Sequence, residues 1–135
     1  MNIIEVNIEE HTLRYKKPIS TSHGSITERS VILLGLKDKK GTWGYGESSP
    51  LKGFSNENTD DVENILAEWG KTKNEQLLTG SLTAKAAVDC AFLDLKAKNT
   101  GLPLHKFMNS KSLKEFPVSQ LIPVSYTHLT LPTKA

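Results

Sequence analysis

The residues that could perform chemistry in this sequence are scattered rather than clustered. None of the four histidines stands at a metal-ligand spacing from another histidine, a cysteine or a carboxylate. The histidines are His11, His23, His105 and His128. The single cysteine, Cys90, lies in an alanine-rich segment, where a small buried apolar residue is expected rather than a nucleophile. We therefore predict no metal site in this chain, and one cysteine allows no internal disulfide.

Three carboxylates are candidates for acid–base chemistry. Asp89 and Asp94 lie on a predicted helix and point about 140° apart, so they do not form a catalytic pair. Lys85 and Lys98 each stand four residues from one of them, which is the spacing of an ordinary surface ion pair. Glu47 ends a glycine-rich strand, and a carboxylate buried beside such a flat face needs a partner. We expect a structural ion pair or hydrogen bond at Glu47 rather than catalysis.

Two polar segments are better candidates for a binding site. Residues 20–27 (STSHGSIT) and 48–57 (SSPLKGFSNE) are small, polar and glycine-containing. If the first three strands form a meander, both segments can lie at the same end of the sheet. Polar loops with glycine hinges suit a binding lid. Taken alone, the two segments indicate a binding site for a ligand of unspecified class.

The overall composition is that of one ordinary globular domain. The chain has 135 residues, 24% of them charged, and a formal net charge of +2, which is no signal for nucleic-acid binding. The N-terminus lacks the pattern of a secretory signal, and no apolar run has the length of a membrane span. A cytoplasmic location is therefore expected, without nucleic-acid or membrane partners.

Three predicted strands must position the two polar segments. Alternation of apolar and polar residues from Ile4 predicts a half-buried first strand, which Pro18 is expected to interrupt. The stretch 20–27 follows as a loop too long for a tight hairpin turn. Residues 28–36 predict a buried second strand, and residues 42–47 predict a third.

The third predicted strand has one face without side chains. Gly44 and Gly46 occupy alternate positions, and a face of this kind usually lies against another backbone or a ligand. Gly41, in the turn before it, can take a positive φ. The three segments together predict an antiparallel meander.

Helical periodicity begins after residue 57. Apolar residues recur at helical spacing over 62–69, with Asn58 or Thr59 as the N-cap and Gly70 as the expected end. This pattern predicts an amphipathic helix that packs on the sheet.

An alanine-rich helix is predicted next, from about residue 82 to residue 99. Ser81 or Thr83 can cap it, and Gly101 stands where the helix should end. Shorter predicted elements are helical turns at 74–79 and 104–108 and a strand that begins at 116. The order predicts an α+β fold: a three-stranded antiparallel meander, then helices, then one strand without a partner.

A specific motif spans residues 44–57, which read Gly-Tyr-Gly-Glu-x-Ser-Pro-Leu-x-Gly-Phe-Ser-x-Glu. It resembles the signature of o-succinylbenzoate synthases, enzymes of menaquinone biosynthesis in the enolase superfamily, of the mandelate racemase/muconate lactonizing enzyme type. The similarity covers about residues 1–123. Its other matching segments are Lys17-Pro18, Ser22-His23-Gly24, Glu28-Arg29, the helix residues 86–97, Gly101 to Leu104, and 117–122.

The resemblance implies a capping domain at residues 1–115, with 116–123 as the truncated first strand of a (β/α) barrel. In the family the barrel holds the lysine base and the Mg²⁺ ligands, and the synthase is a lyase that loses water through an enediolate. It thus implies Mg²⁺ held outside this chain, a small-molecule carboxylate substrate, and the chain's own barrel as partner. An oligomer is compatible with the family. No catalytic residue is expected in this chain, which we predict to be inactive alone.

The resemblance also implies which residues cover the substrate. They are Ser20, Thr21, Ser22, His23, Gly24, Ser49, Pro50, Leu51, Gly53, Phe54 and Ser55. Glu47, Asp89 and Asp94 belong to the structural motif. Dipeptide epimerases, muconate cycloisomerases and N-acylamino acid racemases share this capping domain and remain alternatives. A stand-alone α+β module that binds a small molecule is the alternative of another class.

The last residues, 124–135, do not read like the rest of the chain. Residues 124–133 (VSYTHLTLPT) match one reading frame of a transposase adapter used in sequencing libraries. We interpret 124–135 as a non-native, adapter-derived tail. Different codons in the parent nucleotide record would refute this interpretation.

Overall fold

The computed structural model of the chain describes residues 2–22, 24–51 and 53–119, which form a sheet followed by helices. The sheet has the order β1-β2-β3, and both pairs of strands are antiparallel. Its order confirms the predicted α+β meander. The elements are β1 (Ile3–Thr21), β2 (Gly24–Asp38), β3 (Trp43–Ser48), α1 (Thr59–Thr72), a 3₁₀ turn (Glu75–Leu78), α2 (Leu82–Thr100) and α3 (Leu104–Met108).

The core lies between one face of the sheet and the helices. Ile32, Leu34 and Leu36 alternate along β2 and are fully buried. Val6 lies opposite Leu36 and Ile8 lies opposite Leu34, so β1 adds to the same face. The helices contribute Val62, Leu66, Trp69, Ala84, Ala87, Val88, Ala91 and Leu95. Because side chains alternate between the two faces of a strand, the period-two pattern selects this core.

The prediction that Pro18 interrupts β1 is wrong. β1 runs through Pro18 because it is an edge strand and its register is irregular there. Between the pairs Arg14–Glu28 and Ile19–Ile26, β1 has four residues and β2 has one. A proline is tolerated at such a bulge on an edge strand, where no ladder hydrogen bond requires its missing N–H.

The prediction of a long loop at 20–27 is also wrong. Ser20 pairs with Ser25, and Thr21 pairs with Gly24, so the two strands nearly meet. Gly24 has φ +119°, a conformation that an L residue rarely adopts. Small polar residues here build a tight hairpin rather than an open loop. His23, in the connection, lies outside the described residues.

Helix α1 starts as predicted but ends three residues later. Asn58 is its N-cap and accepts a hydrogen bond from the Asp61 amide at 2.8 Å. The helix passes through Gly70 and stops at Lys73, which has φ 56°. Gly70 lies inside the helix, where Val6 packs closely against it; a Cβ there would lie 3.2 Å from Val6 Cγ1.

Helix α2 has both predicted ends. Ser81 accepts from the Ala84 amide at 3.2 Å, and Gly101 ends the helix with φ 70°. The Gly101 amide donates to the Lys98 carbonyl, and the Leu102 amide donates to Ala97. These two bonds satisfy carbonyls that a helix end leaves free.

The glycine face of β3 lies directly against the backbone of α2. A Cβ on Gly46 would stand 1.9 Å from the Ala87 carbonyl oxygen, and one on Gly44 would stand 2.3 Å from that of Ala91. The expectation of another backbone or a ligand on this face is met by the backbone of α2.

The chain after α3 is irregular as far as the structure describes it. Residues 109–119 form turns, a bend and irregular chain without helix or strand. They include the first part of the predicted barrel strand at 116–123. The rest of that strand and the proposed tail at 124–135 lie outside the described residues, so both stay predictions.

Candidate functional site

The first polar segment forms the tip of a projecting hairpin. β3 pairs with β2 only from Ile32 to Lys37, so the part of β2 from Gly24 to Val31 extends beyond β3. The hairpin tip (residues 20–24) therefore extends up to about 26 Å beyond the end of β3 at the usual strand rise. Ser20, Ser22 and Gly24 are exposed there. Polar groups at the tip are thus available to a ligand.

The second polar segment forms the β3–α1 loop (residues 49–58), which begins at the same end of the sheet. Its centre is a compact turn. The Leu51 carbonyl accepts from the Phe54 and Ser55 amides, both at 2.9 Å, and the Leu51 amide donates to Ser55 Oγ at 2.9 Å. Gly53 takes φ +90° within the turn. Phe54 projects from it with 79% of its surface exposed.

The beginning of the β3–α1 loop is attached to β2. Arg29 Nη2 donates to the Ser49 carbonyl at 2.9 Å, and Pro50 beside it is buried. Ser49 Oγ donates to Glu47 Oε1 at 2.6 Å, which confirms the expected hydrogen bond at Glu47. The assumption that Glu47 is buried is wrong. It alternates with Gly46 and therefore faces away from α2.

The end of the β3–α1 loop is attached to α2. Glu57 accepts from the Leu82 amide at 2.8 Å, from the Thr83 amide at 3.4 Å, and from the Thr83 hydroxyl. Desolvation alone would raise the pKa of the Glu57 carboxyl, but the hydrogen bonds from Thr83, Ser81 and the Leu82 amide outweigh it. The pKa is lowered as a result, and the carboxylate stays ionised at the positive end of α2.

A cleft of about 560 Å³ separates the base of the hairpin from the β3–α1 loop. Residues 28–30 of β2 form one wall, and residues 50, 51 and 55–59 form the other. None of the described hairpin-tip residues lines it. The β3–α1 loop thus contacts Arg29, whereas the described residues of the hairpin tip do not line the cleft between them.

The predicted ion pairs of α2 are present. Lys85 contacts Asp89 at 2.7 Å, and Lys98 contacts Asp94 at 2.6 Å. The second pair, Lys98 and Asp94, also makes hydrogen bonds that the helical spacing does not predict. Asp94 also accepts from the Tyr45 amide at 2.9 Å, and Lys98 also donates to the Trp43 carbonyl at 3.0 Å. These two side chains bond the free edge of β3, where an exposed strand would otherwise invite pairing with another chain.

Cys90 is exposed, so the prediction of a buried cysteine is wrong. The buried stripe of α2 includes Ala87, Val88 and Ala91, and Cys90 lies off that stripe. Alanine content indicated a helix but not which face the sheet would cover.

Two absences concern the described residues only. They hold no group of three or more His, Cys, Asp and Glu side chains able to bind a metal ion. None of their helices has both the length and the apolar character needed to cross a membrane.

Arg29 and Glu57 make contacts that the sequence does not predict. Both belong to segments that the motif analysis quoted, but neither had a predicted role. Their partners, Ser49 and the start of α2, are separated from them by 20 residues or more. No local spacing rule reports such pairings.

Comparison with known proteins places the fold. The family model described as mandelate racemase/muconate lactonizing enzyme, N-terminal domain, matches residues 3–109. A D-Ala-D/L-Ala epimerase of Cytophaga hutchinsonii is 25% identical over an alignment of 142 positions, which covers 95% of this chain and 39% of that protein. An o-succinylbenzoate synthase of Geobacillus stearothermophilus is 28% identical over an alignment of 120 positions, which covers 73% of this chain and 32% of that protein.

A solved structure has the same fold. It is a dipeptide epimerase from Cytophaga hutchinsonii complexed with Mg and the dipeptide D-Ala-L-Val, with a TM-score of 0.74 and 24% identity. The match covers 80% of this chain and 33% of that one. The chain therefore spans between about a third and two fifths of the length of the relatives it matches.

Proposed function

The chain belongs to the mandelate racemase/muconate lactonizing enzyme family, whose N-terminal domain it matches over residues 3–109, and we propose that it covers the substrate of such an enzyme. In this proposal the hairpin tip and the β3–α1 loop close over a small-molecule carboxylate. The domain excludes water and selects the substrate, while the reacting groups lie in a barrel domain.

One observation carries the proposal: a preformed loop presents a large exposed apolar side chain. Phe54 stands on a turn closed by three hydrogen bonds to Leu51, at the end of the sheet from which the hairpin tip projects. Covering this ring with a ligand or another domain would bury apolar surface, which is favourable in proportion to the area removed from water. A ring in this position can shield a bound substrate from water.

The described residues do not fit a role in binding Mg²⁺. They provide no group of three or more possible ligands, so no step on this chain runs through the metal. We propose that any Mg²⁺ is held outside them, as is the base that removes the proton α to the carboxylate. A cytoplasmic location stays a prediction.

For the substrate we propose a dipeptide, with epimerisation as the reaction. The match to the Cytophaga hutchinsonii epimerase extends over 95% of this chain, and the related solved structure holds a dipeptide. Epimerisation needs only removal and return of one proton. The covering domain would then keep bulk water away from the planar intermediate.

A second candidate is o-succinylbenzoate synthase, a lyase of menaquinone biosynthesis. The motif at residues 44–57 favours it, and the Geobacillus stearothermophilus synthase is similar over 73% of this chain. Muconate cycloisomerase and N-acylamino acid racemase chemistry are further possibilities within the same family.

The reaction is tested with the protein encoded by the complete gene. In D₂O an epimerase incorporates deuterium at the α-carbon of a dipeptide, whereas the synthase forms its aromatic product with loss of water. Exchange into a dipeptide supports our proposal, and aromatic product formation supports the second candidate. Activity with neither substrate contradicts both. We expect the 135-residue chain alone to be inactive; turnover by it would favour a stand-alone module.

The covering role is tested by Phe54→Ala in the same protein. We expect kcat/KM to fall about tenfold, since a substrate in the uncovered site is less desolvated. The thermal stability of the 135-residue chain should be unchanged by the same substitution, because Phe54 is 79% exposed in it. Ile4→Ala is the matched control: Ile4 is 56% exposed and stands at the opposite end of β1. An equal effect of both substitutions would contradict the covering role.

A further inference from the structure

The β3–α1 loop is tied at both ends by side chains that reach across the fold. At its start, Arg29 Nη2 on β2 donates to the Ser49 carbonyl at 2.9 Å. Near its end, the Glu57 carboxylate receives the Leu82 amide at 2.8 Å and the Thr83 amide and hydroxyl. The loop therefore connects β2 to α2, two elements that lie far apart in the sequence.

Glu57 and its neighbour act on different helices. Asn58 caps α1 by accepting from the Asp61 amide, whereas Glu57 binds the first turn of α2 alongside its own N-cap Ser81. Two consecutive residues thus hold the N-termini of two helices. With both side chains engaged, the last residues of the loop have little freedom to move.

Ser55 connects Glu57 to the turn that carries Phe54 through the hydrogen bonds of its hydroxyl group. Its hydroxyl donates toward the Glu57 and Leu51 carbonyls, both at 3.3 Å, and accepts from the Leu51 amide at 2.9 Å. Release of Glu57 would therefore loosen the turn as well as the loop end.

We propose that Glu57 is a positioning residue, which holds the β3–α1 loop on α2 and so keeps Phe54 in its outward position. The inference rests on the proposed function, because the position of Phe54 matters only if the loop covers a substrate. Glu57 itself does not touch the substrate in this scheme. Glu57 keeps the loop ordered before a ligand binds, and an already ordered loop lowers the entropic cost of binding.

The test is amide hydrogen exchange, followed by NMR on the ¹⁵N-labelled 135-residue chain. The Phe54 and Ser55 amides report the turn, and the Leu34 amide in the central strand reports global opening. In Glu57→Ala we expect the two loop amides to exchange about tenfold faster relative to Leu34, because a hydrogen-bonded charged group is lost. Glu57→Gln keeps an acceptor oxygen and should restore part of the protection.

The matched control is Glu63→Ala, at an exposed position on α1. It should leave the ratio of loop to core exchange unchanged. Equal acceleration of the loop and core amides in Glu57→Ala would mean that Glu57 only stabilises the fold, and would overturn the proposal. So would an unchanged loop.

A milder variant serves if Glu57→Ala does not fold. Thr83→Val removes only the hydroxyl donor to Glu57 and should speed loop exchange selectively, by about threefold. No selective change would overturn the proposal. Since no substrate is present, this result is independent of the D₂O assay: failure to act on dipeptides would leave the exchange result standing.

Discussion

Asp38 shows how one carboxylate can tie a turn to a distant helix. It is 4% exposed, and its Oδ1 accepts from the Lys40 amide at 2.9 Å and the Thr42 amide at 3.0 Å. Its Oδ2 accepts from Asn99 Nδ2 at 2.7 Å. The hydrogen bond from Asn99, above all, lowers the pKa of Asp38, with the turn amides and Lys40 adding to it against desolvation. The β2–β3 turn is thereby attached to the last turn of α2.

A pH dependence follows at this residue. The folded pKa lies below the unfolded one, so the stabilisation is complete above the unfolded pKa and is lost as the pH falls through the folded pKa. We expect Asp38→Asn to be less stable at neutral pH and to lose less stability as the pH falls below the usual range of an aspartate pKa. Urea denaturation across this range measures it. Glu63→Gln, at an exposed position, is the control. The expectation would be refuted if the free energy of unfolding fell equally steeply with decreasing pH in Asp38→Asn and in the parent.

At the scale of elements, the contact between β3 and α2 depends on the absence of two side chains. Gly44 and Gly46 let the strand reach the backbone of the helix near Ala87 and Ala91. The helix contributes alanines at the same place, so both surfaces are nearly flat. This contact positions the end of β3, and with it the start of the β3–α1 loop.

Gly46→Ala should therefore damage the fold. Its Cβ would lie 1.9 Å from the Ala87 carbonyl oxygen, and backbone cannot move aside cheaply. We expect a loss of about 3 kcal/mol in the free energy of unfolding, at the upper end for overpacking. Gly80→Ala is the matched control because nothing lies within 4 Å of its added Cβ. If chemical denaturation gave similar values for both variants, the close contact would not exist in solution.

At the scale of the whole molecule, the chain exposes many large apolar side chains after α2. Among the described residues after α2, Met108, Leu113, Phe116 and Val118 are the most exposed of these. Ordinary monomers rarely present contiguous apolar surface of large area. Under the proposed function, in which a barrel domain packs on this chain, such surface is expected here.

The isolated chain should therefore bind the dye ANS and associate in chromatography. Replacing Phe116 and Val118 together with serine should lower the dye signal, whereas Leu13→Ser, on the hairpin, should change it little. A monomeric chain that leaves ANS fluorescence unchanged would contradict the expectation. So would a serine double variant with the parent's signal.

Much of the fold could be predicted from local patterns, and part of the site could not. Helix caps at Asn58 and Ser81 and the end at Gly101 follow from chemistry within a few residues. The sequence of residues 20–27 predicts a loop where the structure has a hairpin, because Pro18 and small polar residues are typical of both. Pro18 is accepted only because β1 is an edge strand, and edge position is a property of the sheet.

The sequence by itself determined the order of the elements, the apolar face of each, and the family resemblance at residues 44–57. These features depend on periodicity, caps and turn residues, all of which involve residues close together in the sequence. Only the tertiary structure decided that Arg29 and Glu57 hold the two ends of the β3–α1 loop. It also decided that Asp94 accepts a hydrogen bond from β3 in addition to its ion pair with Lys98. Those contacts join residues far apart in the chain, where identical local spacings lead to different partners.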